Sequence, residues 1–228
     1  MFDMIKRVEV WGDSVLKGVI YDESRHKYMR TENTAADEMV HMGMDVKNNS
    51  RFGMTVTKAK KLMMNSLAKG VDAEMAIIEF GGNDCDYKWA EVSEHPESEH
   101  IPNTPLDAFK SCIADMVAAL RSHGIKPVLM NLPPISAEKY FAWISRNLDP
   151  KAILSWLGDK ELIYRHHESY SIAIMNLAKS LSCDLIDVRT PFLMKRDYYN
   201  YLCMDGIHPN EEGYALINRA VADYVLNR

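Results

Sequence analysis

With 228 residues, 47% of them hydrophobic, the chain is long enough for one well-packed domain that buries about 70% of its unfolded surface. The 27 Lys and Arg against 32 Asp and Glu leave a formal charge of -5, which speaks against a nucleic-acid binder built on a basic patch, and no run of about 18 apolar residues is present to span a membrane. Cys85, Cys112, Cys183 and Cys203 show no C-x-x-C spacing and are too sparse for a disulfide framework or a four-thiolate zinc site, so reduced thiols are expected.

Taken in chain order, residues 1–7 lead straight into a strand pattern without an apolar h-region or cleavage site, so no export signal and a cytoplasmic location are expected. Val8, Val10 and Trp11 form a short apolar run that stops at Gly12-Asp13-Ser14. The same design, an apolar strand closed by a turn, recurs at 75–80 before Gly81-Gly82-Asn83-Asp84, at 127–132 before Pro133-Pro134, and at 184–188 before Arg189-Thr190-Pro191. A weaker candidate at 44–49 closes on Ser50-Arg51-Phe52-Gly53. Between them, 56–69, 106–123, 162–181 and 211–226 carry apolar residues at helical spacing. Strands alternating with helices imply an α/β fold, a parallel sheet with helices on both faces, in which ligands bind beyond the carboxyl ends of the strands. Two connections, 85–105 and 133–160, exceed ordinary loop length and are expected on the active-site side. No repeat or inter-domain linker is visible.

The strand ends carry a recognisable chemistry. Ser14 sits where a strand-to-helix turn exposes a hydroxyl near a helix N-terminus, and it needs a base that is itself oriented by a third group. Asp205-Gly206-Ile207-His208-Pro209 supplies both: Asp205 can accept from His208 Nδ1 while Nε2 faces the serine. Donors for a developing oxyanion are the Ser14 amide, the backbone N–H of Gly53 and the side-chain amide of Asn83. Singly, each motif is a common turn or helix cap. Four of them in one order, at strand ends and before the last helix, point to acyl transfer.

Over nearly its whole length the sequence resembles the SGNH hydrolases, or GDSL-type lipases and esterases. The matching blocks are Gly12-Asp13-Ser14 (followed by Val15 where the family has Leu), Asn49-Ser50-Arg51-Phe52-Gly53-Met54-Thr55, Gly81-Gly82-Asn83-Asp84, and Asp205-Gly206-Ile207-His208-Pro209 with Glu212-Gly213-Tyr214 behind it. The second block is the loosest. The resemblance implies a three-layer α/β/α sandwich on a flavodoxin-like five-stranded parallel sheet. It also implies Ser14 as nucleophile, His208 as base and then acid, Asp205 as its orienter, an oxyanion hole of Ser14, Gly53 and Asn83, and neither metal nor organic cofactor.

Other readings compete. Asp84 and Asp86, with Asp13 and His208, suggest a metal-dependent phosphoesterase, but the His-containing ligand pairs of such sites are missing near the N-terminus. A binding module that merely keeps the fold is disfavoured by the complete Ser/Asp/His set, and acyl transfer to another alcohol would use the same acyl-enzyme. His166-His167-Glu168 reads as a solvated helix face, not half a zinc site, and Cys85 and Cys203 as small hydrophobes without an activating base. Tyr140, Phe141, Trp143 and Trp156 among polar neighbours suggest either packing or a mixed cover suited to a carbohydrate-like alcohol. The substrate expected is therefore a small-molecule ester with a short acyl group; lysophospholipase or thioesterase activity on the same triad is the alternative. Oligomeric state is not legible.

Overall fold

The computed structural model describes residues 5–227. In chain order its elements are β1 (Arg7–Trp11), α1 (Ser14–Lys17), β2 (Val19–Asp22), β3 (Lys27–Arg30), α2 (Ala35–His41), β4 (Asp45–Asn48), α3 (Val56–Leu67), β5 (Met75–Ile78) and α4 (Trp89–Glu94). There follow α5 (Leu106–Ser122), β6 (Lys126–Met130), α6 (Ala137–Ser145), α7 (Pro150–Leu157), α8 (Glu161–Ser180), β7 (Asp184–Ile186), α9 (Arg189–Leu193), a 3₁₀ turn (Tyr198–Tyr201) and α10 (Glu211–Leu226).

The central sheet has the order β4-β1-β5-β6-β7, and every pairing in it is parallel. Side chains alternate between its faces, as strand geometry requires. Val8 and Val10 of β1, Met75 and Ile77 of β5, and Val128 and Met130 of β6 pack with Leu16, Met39, Tyr214 and Ile217 from α1, α2 and α10. The intervening Trp11, Ala76, Ile78 and Leu129 pack with Met63, Ile113, Met116 and Ile174 from α3, α5 and α8. Both faces are thus covered, which is why these strands read as continuous apolar runs.

A third apolar cluster, formed by Val92, Ile135, Tyr140, Phe141, Ile153, Leu157 and Ile163, lies over the strand ends. It is built from the two long connections, which fold into α4, α6 and α7 instead of remaining loops. β2 and β3 pair antiparallel as a separate hairpin, an element without a signal in the sequence patterning.

The last helix locks down the loop in front of it. The Tyr214 side chain is fully buried and its hydroxyl donates to the Val19 carbonyl at 3.0 Å. Next to it, a Cβ on Gly213 would lie 2.2 Å from the Tyr201 carbonyl oxygen and 2.9 Å from Pro209 Cβ. Alanine normally favours a helix over glycine by about 1 kcal/mol. Here overpacking against backbone should reverse the sign, so Gly213→Ala is expected to destabilise the fold by about 1–3 kcal/mol. Thermal melting checks this, and an increased Tm would contradict it.

Candidate active site

The β1 strand ends at Trp11, and Asp13 then caps the short helix α1 by accepting the Val15 N–H at 2.9 Å. Ser14 therefore opens a helix directly above the end of the second strand of the sheet. The base arrives from a tight turn before α10, where Cys203 N–H donates to the His208 carbonyl at 2.8 Å and Leu202 bridges to Pro209. His208 Nε2 lies 2.9 Å from Ser14 Oγ, and His208 Nδ1 lies 2.6 Å from Asp205 Oδ2. With Nδ1–H donating to Asp205, Nε2 keeps its lone pair for the serine hydroxyl. The other Asp205 oxygen accepts the backbone N–H groups of Ile207 and His208, each at 3.1 Å. Burial alone would raise the Asp205 carboxyl, but the hydrogen bonds and charge of His208 outweigh it and hold the group below its ordinary value.

Asn83 follows β5 and lines the same cavity as Ser14 and His208. Its Nδ2 donates to Asp13 Oδ2 at 2.9 Å, and its carbonyl accepts from Asn103 Nδ2 at 3.0 Å. One amide hydrogen is thus committed to Asp13, and the second remains for a ligand. The neighbouring Asp84 accepts the Val56 N–H at 2.9 Å and caps α3 from across the chain. Gly53 sits on an exposed loop at φ +67°, and a Cβ there would meet nothing within 4 Å. Its backbone conformation, not crowding, calls for glycine. The structure therefore gathers Ser14, His208, Asp205 and Asn83, while Gly53 stands at the edge beside Phe52.

Sequence reasoning missed several groups around His208. Tyr28, carried by β3, packs its ring 5.2 Å from the His208 ring, and Phe52 lies parallel to that ring at 6.0 Å. Glu79, 1% exposed at the end of β5, borders the cavity with neither carboxyl oxygen hydrogen-bonded among the described residues. Burial and then the Asp13 charge push its pKa well up. None of these had a local signal: Tyr28 and Phe52 reach His208 only through tertiary folding, and Glu79 looked like an ordinary strand residue.

The expectation that His166-His167-Glu168 forms a solvated helix face is overturned. His167 is buried, His166 Nε2 lies 3.2 Å from the Tyr87 hydroxyl, and Glu168 pairs with the buried Arg189. Apolar residues on either side of this stretch of α8 turn it towards the strand ends. Asp86 accepts from the Tyr140 hydroxyl and Trp89 Nε1, both at 2.7 Å, and so is directed away from Asp84. Among the described residues no three His, Cys, Asp or Glu side chains converge as metal ligands. Burial pushes the Cys203 thiol up to about 11, as befits a small core residue. No helix among the described residues is long and apolar enough to cross a membrane.

The model of the GDSL-like lipase/acylhydrolase family matches residues 10–216. The chain belongs to that family. Family membership makes it an ester hydrolase by class. An isoamyl acetate-hydrolyzing esterase of Saccharomyces cerevisiae is 24% identical over 176 residues, covering 77% of this chain but 66% of that protein's own length. An acetylxylan esterase from Geobacillus stearothermophilus, solved as a catalytic mutant, superposes with a TM-score of 0.66 at 16% identity, over 99% of this chain and 96% of that one. A carbohydrate acetylesterase from Sinorhizobium meliloti gives 0.66 at 16% identity, over 97% and 99%. These structures share the fold, with its parallel sheet and flanking helices.

Burial pushes the Asp84 carboxyl from 3.8 up to about 6. A carboxyl raised in the folded state supports stability below its unfolded value, and that support is lost as pH rises through the folded value. Asp84→Asn, which can still accept the Val56 N–H, should flatten the fall in stability between about pH 4 and 6. Denaturation midpoints across that range test this; an unchanged slope would show that Asp84 does not titrate there.

Proposed function

We propose that this protein is a serine esterase that hydrolyses short-acyl esters through an acyl-enzyme on Ser14. The observation that carries the reading is the unbroken hydrogen-bond chain Asp205–His208–Ser14 at the wall of a cavity. Ser14 Oγ attacks the ester carbon while His208 Nε2 takes its proton, and the carbonyl oxygen becomes the oxyanion. The Ser14 N–H, the free hydrogen of Asn83 Nδ2 and the Gly53 N–H receive that charge. Protonated His208, stabilised by Asp205, then delivers the proton to the leaving alcohol. Water, activated by the same imidazole, releases the acid and restores Ser14. Every bond change is served by these side chains, and no cofactor is required.

The cavity supports the short-acyl limit. Its volume is about 140 Å³, close to the 150 Å³ of an engineered cavity in another protein that holds benzene. A group of about six carbons fills such a space. Added CH₂ groups beyond that find no apolar surface to reward them with the usual ~0.8 kcal/mol each. A cavity of this volume is unfavourable for the long chains of lysophospholipids. The yeast relative is named for isoamyl acetate and two structural neighbours for acetylated carbohydrate, which is consistent with acetyl as one accepted acyl group.

Ser14→Ala and His208→Ala should each remove nearly all turnover without loss of fold, because nucleophile and base act as one unit. Asn83→Ala should lower kcat about 10²–10³-fold with a smaller change in KM. Steady-state kinetics on an acetyl-to-octanoyl ester series would report both effects. A kcat/KM that climbs steadily to octanoyl would exclude the short-acyl reading, and a pure KM effect would make Asn83 a substrate contact only.

A further inference from the structure

At its helical end the cavity carries a polar group that the reaction does not use. His167 projects from α8, is 4% exposed, and lines the cavity among apolar neighbours. Its Nδ1 is buried with no hydrogen-bond partner among the described residues. Burial first, and then the positive Arg189 guanidinium, push its pKa down to about 3, so the ring is neutral at any working pH. The terminal nitrogens of Arg189 donate to Glu168, the Tyr164 hydroxyl and the Leu132 carbonyl, none of them to His167. A neutral imidazole has one donor and one acceptor nitrogen, and a buried ring left short of a partner is a standing penalty that a ligand can remove.

Proton traffic decides which part of an ester reaches it. The leaving oxygen must take its proton from His208, so the alcohol departs on the His208 side, where Tyr28 and the exposed Phe52 form the mouth. The oxyanion faces Asn83. The rest of the cavity lining includes Leu132, Ile135, Leu157, Ile163 and His167, which leaves that part to the acyl group. Neither Lys nor Arg lines this space, whereas Asp13 and Asp86 do, so an anionic acyl tip finds no cationic partner there.

We propose that the cavity is an acyl site for short oxygenated acids, in which a hydroxyl or keto oxygen near the end of the acyl group hydrogen-bonds His167. This rests on the esterase reading and narrows its substrate class. The test compares acetyl, pentanoyl, levulinyl (the keto analogue of pentanoyl) and succinyl esters of one alcohol, with wild type, His167→Leu and His167→Phe. In wild type, kcat/KM for levulinyl should exceed that for pentanoyl about tenfold, with succinyl the poorest. In both variants the levulinyl-to-pentanoyl ratio should fall to about one. Because the ratio is taken within one protein, an overall loss of activity cancels, and the phenylalanine variant keeps a ring of similar size should leucine impair folding. Pentanoyl equal to or better than levulinyl in wild type, or a ratio that survives both replacements, overturns the acyl site. Absence of turnover on every ester, acetyl included, would instead refute the esterase reading beneath it.

Discussion

β1 is hydrogen-bonded in parallel on both sides, to β4 through Arg7–Asp45 up to Val10–Asn48 and to β5 through Val8–Met75 up to Trp11–Ile78. Parallel pairing requires that all three strands run out at the same edge. Whatever follows them, the Gly12–Ser14 turn, the Asn49–Gly53 loop and the Gly81–Asp84 turn, must then meet over that edge. Apolar packing on both faces holds the strands in this register, since a shift by one residue would exchange Trp11 and Ile78 with Val10 and Ile77 between the two cores. The site is therefore a consequence of strand pairing. Only the Asp205–His208 turn comes from elsewhere, 194 residues from Ser14, and it is fixed by the anchoring of α10.

Burial at this edge governs the electrostatics. Asp13, Glu79, Asp84 and Asp205 are all buried there, and four adjacent full charges would be costly in a poorly solvated site. The structure resolves this by giving them different partners. Asp205 has His208 and two backbone N–H groups and stays ionised, ready to stabilise an imidazolium. Asp13 takes the Val15 N–H and Asn83, yet burial still raises it. Glu79, which no side chain is shown to pair, is pushed well up by burial and by the Asp13 charge. The carboxyl beside His208 is thus held low, while those of Asp13, Glu79 and Asp84 are pushed up by burial. Neighbouring carboxyls with values pushed apart are a recurring sign of assigned roles in catalysis.

The regular part of the fold was legible because its signals are local. Helix α10 coincides with the span expected at 211–226, and α3, α5 and α8 differ from expectation by one or two residues at their ends, where helices fray and assignments shift. The strands at 75–80, 127–132 and 184–188 end earlier than expected, because their last residues lead into the turns that hold the site: β5 stops at Ile78, although the Glu79 N–H still donates to the Trp11 carbonyl at 2.9 Å and Glu79 and Phe80 stay buried. The meeting of Ser14, His208, Asp205 and Asn83 was legible because turn chemistry and the chemistry expected of a hydrolase coincide in short motifs. The surroundings were not. The β2–β3 hairpin alternates weakly and is half-buried, so Tyr28 carried no sign of its contact with His208. In the 133–160 segment, Tyr140 and Phe141 turned out to pack the cover over the cavity, whereas Trp143 lies against Tyr21 and Tyr28 with Arg146 stacked on its face. Which aromatic packs and which lines a surface depends on partners far away in sequence.

The account stands or falls on Ser14 being a nucleophile activated by His208. Treating the protein with a fluorophosphonate and locating the adduct by peptide mass spectrometry tests that directly. The account predicts a single covalent adduct on Ser14, formed rapidly in wild type and lost or greatly slowed in His208→Ala, where the hydroxyl has no base. A protein that hydrolyses esters but carries no adduct on Ser14, or carries it on another residue, would contradict the assignment.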